Sequence, residues 1–284
     1  MKTRILLTIT SLLLLLSMTL NLGGCMNSFA SDDLMKGVKA NDVSGKETDD
    51  AFILAQTELA LKLFKASANE SKNENVLISP LSILLALAMT ANGADGETRA
   101  EMEALLGGDI KLDDLNEYIY TYVNSLPSSE QAKLEIANSI WFRDSESFTV
   151  EKDFLQTNAD YYGAEIYKSA FDESTLDDIN SWVSKNTNGM IEKIFEEINP
   201  DALMYLINAL VFDAEWEKAY SETSISDKDF TSISGETGTV KMMHSTEYKY
   251  LHSKTLRALS RITRVKNTAS RRYFPIRESI FTTI

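Results

Sequence analysis

The sequence predicts a mixed helix-and-strand fold, and three stretches carry that expectation. The first is Asn75–Ile83, Asn-Val-Leu-Ile-Ser-Pro-Leu-Ser-Ile, a short apolar run followed by a capped helix. The second is Leu134–Phe142, which alternates at first and then turns wholly apolar, as a strand does when it enters a core. The third is Met204–Phe212, an apolar run interrupted only by Asn208. The 284 residues are 44% hydrophobic, enough for a sizeable core. A net charge of −14 argues against nucleic acid as a partner and favours solubility. One cysteine excludes an intramolecular disulfide, and two histidines are too few for the usual zinc clusters. No His–Ser–Asp set, paired carboxylates or phosphate loop stands out. An enzyme is therefore the weakest reading, and no cofactor or small-molecule substrate is implied.

The N-terminus reads as a targeting segment. Lys2 and Arg4 precede an apolar run from Ile5 to Leu22, a charged region followed by a hydrophobic one. A spanning helix is the competing reading, since the run is near the lower length limit. Leu22-Gly23-Gly24-Cys25 is similar to the lipobox of bacterial lipoproteins. That resemblance implies cleavage before Cys25 and acylation of its thiol and new amino group. Several acyl chains anchor stably where one binds marginally. Plain secretion is the alternative. Residues 1–24 are thus expected to be a signal peptide. Residues 25–50, rich in Ser, Asp, Asn, Gly and Lys, are expected to be a flexible tether.

The body begins with Ala51–Ala68, which has apolar residues at Phe52, Ala55, Leu59 and Leu63 and reads as a helix. Val76, Leu77 and Ile78 are expected to form a short strand. Ser79 caps the next helix, with Pro80 at its first position, where a missing N–H costs nothing. This helix runs to Asn92 and stops at Gly93, a residue suited to a left-handed cap. Ser79 and Ser82 share one face of its first turn between apolar flanks, so their hydroxyls are expected to be buried and partnered. Helices to Leu106, over 111–126 and over Val150–Tyr162 follow. A strand over Glu165–Phe171 and a helix over Asp177–Asn188 carrying Trp182 come next. The run Met204–Phe212 makes Asn208 either a bulge or a buried polar group with assigned partners. Thr239–Leu251 reads as one strand and the start of another, its Met242-Met243 pair serving as core filler.

The Ser79-Pro80-Leu81-Ser82 start of the second helix, Asn92-Gly93-Ala94-Asp95-Gly96-Glu97-Thr98, Ala137–Phe142, Met204–Trp216 and Val240-Lys241-Met242-Met243 follow one another in the order seen in serpins, the serine-protease-inhibitor superfamily. The resemblance implies an α+β serpin fold over 51–252, with Met204–Phe212 as a central strand of its large sheet. It also implies a hydrogen-bonded "shutter" of Ser79, Ser82 and Asn208 beneath that sheet, and a "breach" marked by Trp216. None of these residues would be catalytic. By the same resemblance the activity is inhibition of an extracellular serine, or cysteine, protease. An exposed reactive loop is cleaved and then inserts as a new strand, trapping the protease.

Beyond about His252 the resemblance stops. Residues 253–284 hold eight Lys/Arg against one acid, Glu278, a net +7 that leaves −21 on the remainder. A basic patch for an anionic partner is one reading, and the spacing of Leu256, Leu259 and Ile262 suggests an amphipathic helix. A shifted reading frame is the reading we prefer. Codons exist for Thr255–Pro275 whose third-base frame reads TSGFVKNYKGEKYSFAALFPN, resembling the aromatic-Lys-Gly, Ser-Phe and Leu-Phe-Pro run of a serpin at this point. The expectation is therefore an incomplete, inactive inhibitor without a reactive loop or C-terminal strands. The alternative is a non-inhibitory surface binding module. An unpartnered sheet edge would invite partner strands.

Overall fold

In the computed structural model, residues 29–71, 75–126, 128–129, 132–146, 149–232, 234–246, 249–252, 256–262 and 269–275 are described. Cys25 and the signal segment lie outside them. A two-residue strand β1 (Asp32–Asp33) is followed by four helices: α1 (Asp50–Glu70), α2 (Pro80–Ala91), α3 (Gly96–Gly107) and α4 (Leu112–Asn124). Then come β2 (Ser128–Ser129), β3 (Ala132–Arg143), α5 (Lys152–Tyr162), β4 (Glu165–Ser169), α6 (Glu173–Asn186) and β5 (Met204–Ala214). The chain continues as a hairpin of β6 (Ile225–Thr231) and β7 (Thr237–Met243). A meander of β8 (Lys249–His252), β9 (Leu256–Ile262) and β10 (Ala269–Pro275) follows.

The main sheet is organised around β3. It pairs antiparallel with β5 along eleven residues and parallel with β4 over Ser139–Arg143, while β2 pairs with its first two residues. The parallel β3–β4 pair requires a crossover, and α5 supplies it. On β3, Ile140 and Phe142 join one apolar cluster with α1–α5, whereas Trp141 joins another with Ile179, Trp182 and Val183 of α6. Strand alternation therefore puts a core on each face, which explains why the run is apolar throughout.

Local chemistry sets the helix ends. Ser79 caps α2 and Pro80 is its first residue, as expected. The helix does not end in a left-handed glycine, because its cap is Asn92 in right-handed geometry. Gly93 is instead closely approached: a Cβ there would lie 3.0 Å from the Phe154 ring, which would have to give by a few tenths of an ångström. Gly163 does close α5 at φ 54°. The next helix starts at Glu173, earlier than its apolar period suggested, because Asp172 and Thr175 form a reciprocal capping box.

Two expectations fail, and so does the set-aside helical spacing of 256–262. Residues 76–78 form no strand, and Leu77 is 98% exposed: among the described residues no strand lies alongside to pair with them. Leu256–Ile262 is a strand, not a helix, paired on both sides by β8 and β10. Residues 29–49 are no free tether. Asp32 and Asp33 pair with Lys168 and Tyr167, and the Leu34 N–H donates to Ile166 O at 2.8 Å. Asn41 bonds Asp160 from both its backbone and side chain, and Gly45 lies so close to α4 that a Cβ would fall 2.0 Å from Thr121 Oγ1. The polar composition hid a strap that docks through backbone pairing and through the Phe29, Leu34 and Met35 side chains.

Glu103 clamps α3 to α4. Its carboxylate accepts from Leu112 N at 3.2 Å, Lys111 Nζ at 3.2 Å and Arg99 Nε at 3.3 Å, and the residue is 8% exposed. Burial alone raises a carboxyl pKa, but these three donors outweigh it and hold Glu103 below the ordinary glutamate range. A depressed carboxyl stabilises the fold above its unfolded pKa, and that contribution is lost as pH falls through the folded one. Urea unfolding followed from about pH 6 to about pH 3 should show this acid limb, and Glu103→Gln should flatten it.

Candidate functional site

The polar centre of the sheet is built by two asparagines in facing register. Asn138 of β3 and Asn208 of β5 are Cα partners, and both fall on the face that carries Ile140 and Leu206 toward the helices. Asn208 Nδ2 donates to Asn138 Oδ1 at 2.7 Å. Asn138 Nδ2 donates in turn to the Tyr162 carbonyl at the end of α5, at 2.9 Å. The strand pair is thus tied by side chains to the helical layer at its midpoint.

The line continues beneath the sheet. The buried Tyr162 hydroxyl donates to Asn116 Oδ1 of α4 at 2.5 Å, and the Asn116 and Asn92 amides exchange bonds of 2.9 and 3.1 Å. Asn92 Nδ2 also closes onto the Ala88 carbonyl of α2 at 2.9 Å. Burial pushes the Tyr162 phenol far above its ordinary pKa, so it remains a protonated donor at any physiological pH.

Of the residues expected from sequence, Ser79 and Ser82 do meet. Their hydroxyls lie 2.8 Å apart, both half-buried, and Ser79 Oγ also accepts from the Ser82 N–H at 3.3 Å. α2 packs against β5, but neither serine hydrogen-bonds to Asn208. Asn208 Oδ1 is buried without a partner. Trp216 lies two residues beyond β5 and is 36% exposed. It is eight residues from Asn208, or about 27 Å along an extended chain, and so belongs to a different part of the sheet. Asn138, Tyr162, Asn116 and Asn92 were not anticipated. Asn138 was within reach, since it is a lone amide in an apolar strand, the same signal that singled out Asn208. Among the described residues no cluster of His, Cys, Asp and Glu is arranged to hold a metal ion.

With this geometry in hand, comparison with known proteins defines the class. Residues 54–265 match the model of the serpin (serine protease inhibitor) family. The chain belongs to the serpin family. The match runs past the boundary expected at 252. It is 29% identical to Serpin-ZX of Arabidopsis thaliana over 70% of this chain and 53% of that protein. It is also 29% identical to the leukocyte elastase inhibitor of Equus caballus, over 72% of this chain and 56% of that protein. The chain spans about half the length of these curated relatives. Among solved structures, the thermophilic serpin tengpin in its native state is 47% identical, with a TM-score of 0.82, 87% of this chain covered and 63% of that one. A serpin in a loop C-sheet polymer is 44% identical, with a TM-score of 0.76, 84% of this chain covered and 70% of that one. The fold is accordingly an α+β serpin fold represented in part.

The asparagine pair should be energetically coupled. Asn138→Ala strands the Asn208 Nδ2 donor in a half-buried seam and should cost about 1–3 kcal/mol in urea unfolding. Adding Asn208→Ala should cost clearly less than the sum of the two single changes. Additive losses would show that the two amides act independently.

Proposed function

We propose that the gene specifies a serpin that traps a serine-type endopeptidase outside the cell, held on the membrane by lipid at Cys25. The mechanism is suicide inhibition, in which a cleaved bait loop inserts into the large sheet as a new strand beside β5. Asn208, with Ser79 and Ser82 below it, forms the shutter over which that strand passes, and Trp216 marks the breach where insertion begins. The observation carrying this reading is the free edge of β5. This strand pairs with β3 along its whole length and has no second partner strand among the described residues, while Asn208 Oδ1 waits unpartnered at its centre. A donor on a strand seated at that edge would satisfy the buried acceptor.

The 284 residues as read contain no recognisable bait loop, and we attribute this to a shifted frame from about residue 253. The alternative-frame run over Thr255–Pro275 supports the attribution. In this reading the chain itself is inactive and the frame-restored chain is the inhibitor. A non-inhibitory binding module is the second reading, favoured by the same free edge, which presents unpaired backbone groups to any extended segment.

Sequencing the gene from the codon of Leu251 onward tests the frame. Both chains should then be incubated with trypsin-like, chymotrypsin-like and subtilisin-like proteases and examined for complexes that survive SDS. The frame-restored chain should form a covalent acyl-enzyme with at least one of them, and the present chain with none. An uninterrupted frame, or a restored chain that is only degraded, would remove the inhibitor reading and leave the binding module.

A further inference from the structure

The end of the β3–β4 pair, on the α6 face of the sheet, holds an arginine with unused donors. Arg143 and Ser169 are Cα partners at the last positions of these two parallel strands. Their side chains therefore leave the sheet on one face, the face that carries Trp141 and Tyr167. Arg143 Nε and Nη2 are buried and have no hydrogen-bond partner. The same is true of Ser169 Oγ, in a residue only 7% exposed. The guanidinium stands over the Phe171 ring, 5.7 Å from its centroid. Phe171 is itself held at φ 59°, a left-handed conformation uncommon for a large side chain, with its buried ring 5.2 Å from that of Tyr205.

The carboxylates next to Arg143 and next to Phe171 in the chain are committed elsewhere. Asp144 pairs with Lys168 Nζ at 2.8 Å. Asp172 accepts from Ser174 N, Ser174 Oγ and Thr175 N at the start of α6. The Phe171 ring attracts the flat face of the guanidinium but takes none of its edge N–H groups. A buried cation without a counter-charge is strongly destabilising, and each orphaned donor carries the cost of its own desolvation. The two free nitrogens also form a set. Nε–H and the neighbouring Nη2–H point in parallel from one edge of the planar group, and that edge matches two oxygens of a carboxylate or a tetrahedral oxyanion. Ser169 adds a third donor on the same face. Arg143 as a whole is only half-buried, so movement of one side chain opens the site to the medium.

We propose that Arg143 and Ser169 form a binding site for one small oxyanion from the medium, a carboxylate or a phosphate- or sulfate-type anion, gripped side-on by Nε and Nη2 and capped by Ser169 Oγ. The site lies against α6, on the face opposite the asparagine line, and needs neither a lipid anchor nor a bait loop. Its three donors converge only when β3 and β4 are paired. The anion therefore binds the folded sheet and not the unfolded chain, and it stabilises the layer by mass action. A halide has a single centre, cannot span the two parallel N–H groups, and is the weaker ligand.

The test titrates the full chain with sodium formate, acetate, phosphate and sulfate by calorimetry, with sodium chloride holding the ionic strength constant. At least one of these oxyanions should saturate a single site against the chloride background. Arg143→Lys keeps the charge but loses the two-pronged edge, and should weaken that binding by about tenfold or more. Ser169→Ala should weaken it several-fold. Absence of saturable binding to the unaltered chain would overturn the site. Undiminished binding by Arg143→Lys would do the same, since it would assign the effect to charge alone. Far-UV circular dichroism checks that each variant is folded. Should Arg143→Lys lose its fold, Ser169→Ala decides by itself, because it removes one oxygen that bonds to nothing else. Weakened binding there upholds the site, and unchanged binding removes it.

Discussion

The hydrogen bond from Asn208 to Asn138 is the constraint around which the rest of this domain is arranged. It lies at the midpoint of the β3–β5 pair, on the face turned toward the helices. An amide pair in an otherwise apolar seam is costly where its polar atoms lack partners, and the surrounding structure supplies them to all but Asn208 Oδ1. The Tyr162 carbonyl, the Tyr162 hydroxyl and the Asn116–Asn92 exchange carry the line of bonds from the sheet through α5 and α4 to the end of α2. An apolar seam of the same shape would hold the strands together as well, but it would not fix where along β3 the helical layer sits. Register and layer position are specified by the same few atoms.

How much of this was legible depends on whether the signal was local. The start of α2 was readable because Ser79 and Pro80 each have a single physical use at a helix start. The two long strands were readable because fifteen or so apolar residues leave few alternatives. Residues 76–78 were misread because a short apolar run says nothing of whether a partner strand lies beside it. The strap was misread for the opposite reason. Most of its side chains are those of a solvated linker, whereas its attachment runs through backbone groups and a few scattered side chains, Phe29, Ser31, Leu34 and Met35 among them. Composition does not report backbone pairing. Tyr162 and Asn116 were out of reach because their partnership joins helices forty-six residues apart.

Trp182 shows that the opposite face of the sheet follows a different logic. Its ring is fully buried against the strands, but its Nε1–H has no partner. An orphaned indole donor costs about 1–3 kcal/mol and persists only where packing over-determines the position. The α6 side thus packs through aromatic area and is pinned at its outer face by Ser31 on Asp178 and by Asn180 on residues 194 and 195, whereas the α2 side is held by a hydrogen-bond line that runs through the centre of the sheet.

The two edges of the sheet complete this asymmetry. At one edge, β1 adds two acidic residues to β4 and then leaves, a short charged strand of the kind that discourages further pairing. At the other, β5 pairs with β3 along all eleven of its residues, has no second partner strand among the described residues, and carries a buried acceptor at its centre. Strand addition is therefore directed to one side. The polar line beneath β3 and β5 holds that edge in register with the helical layer.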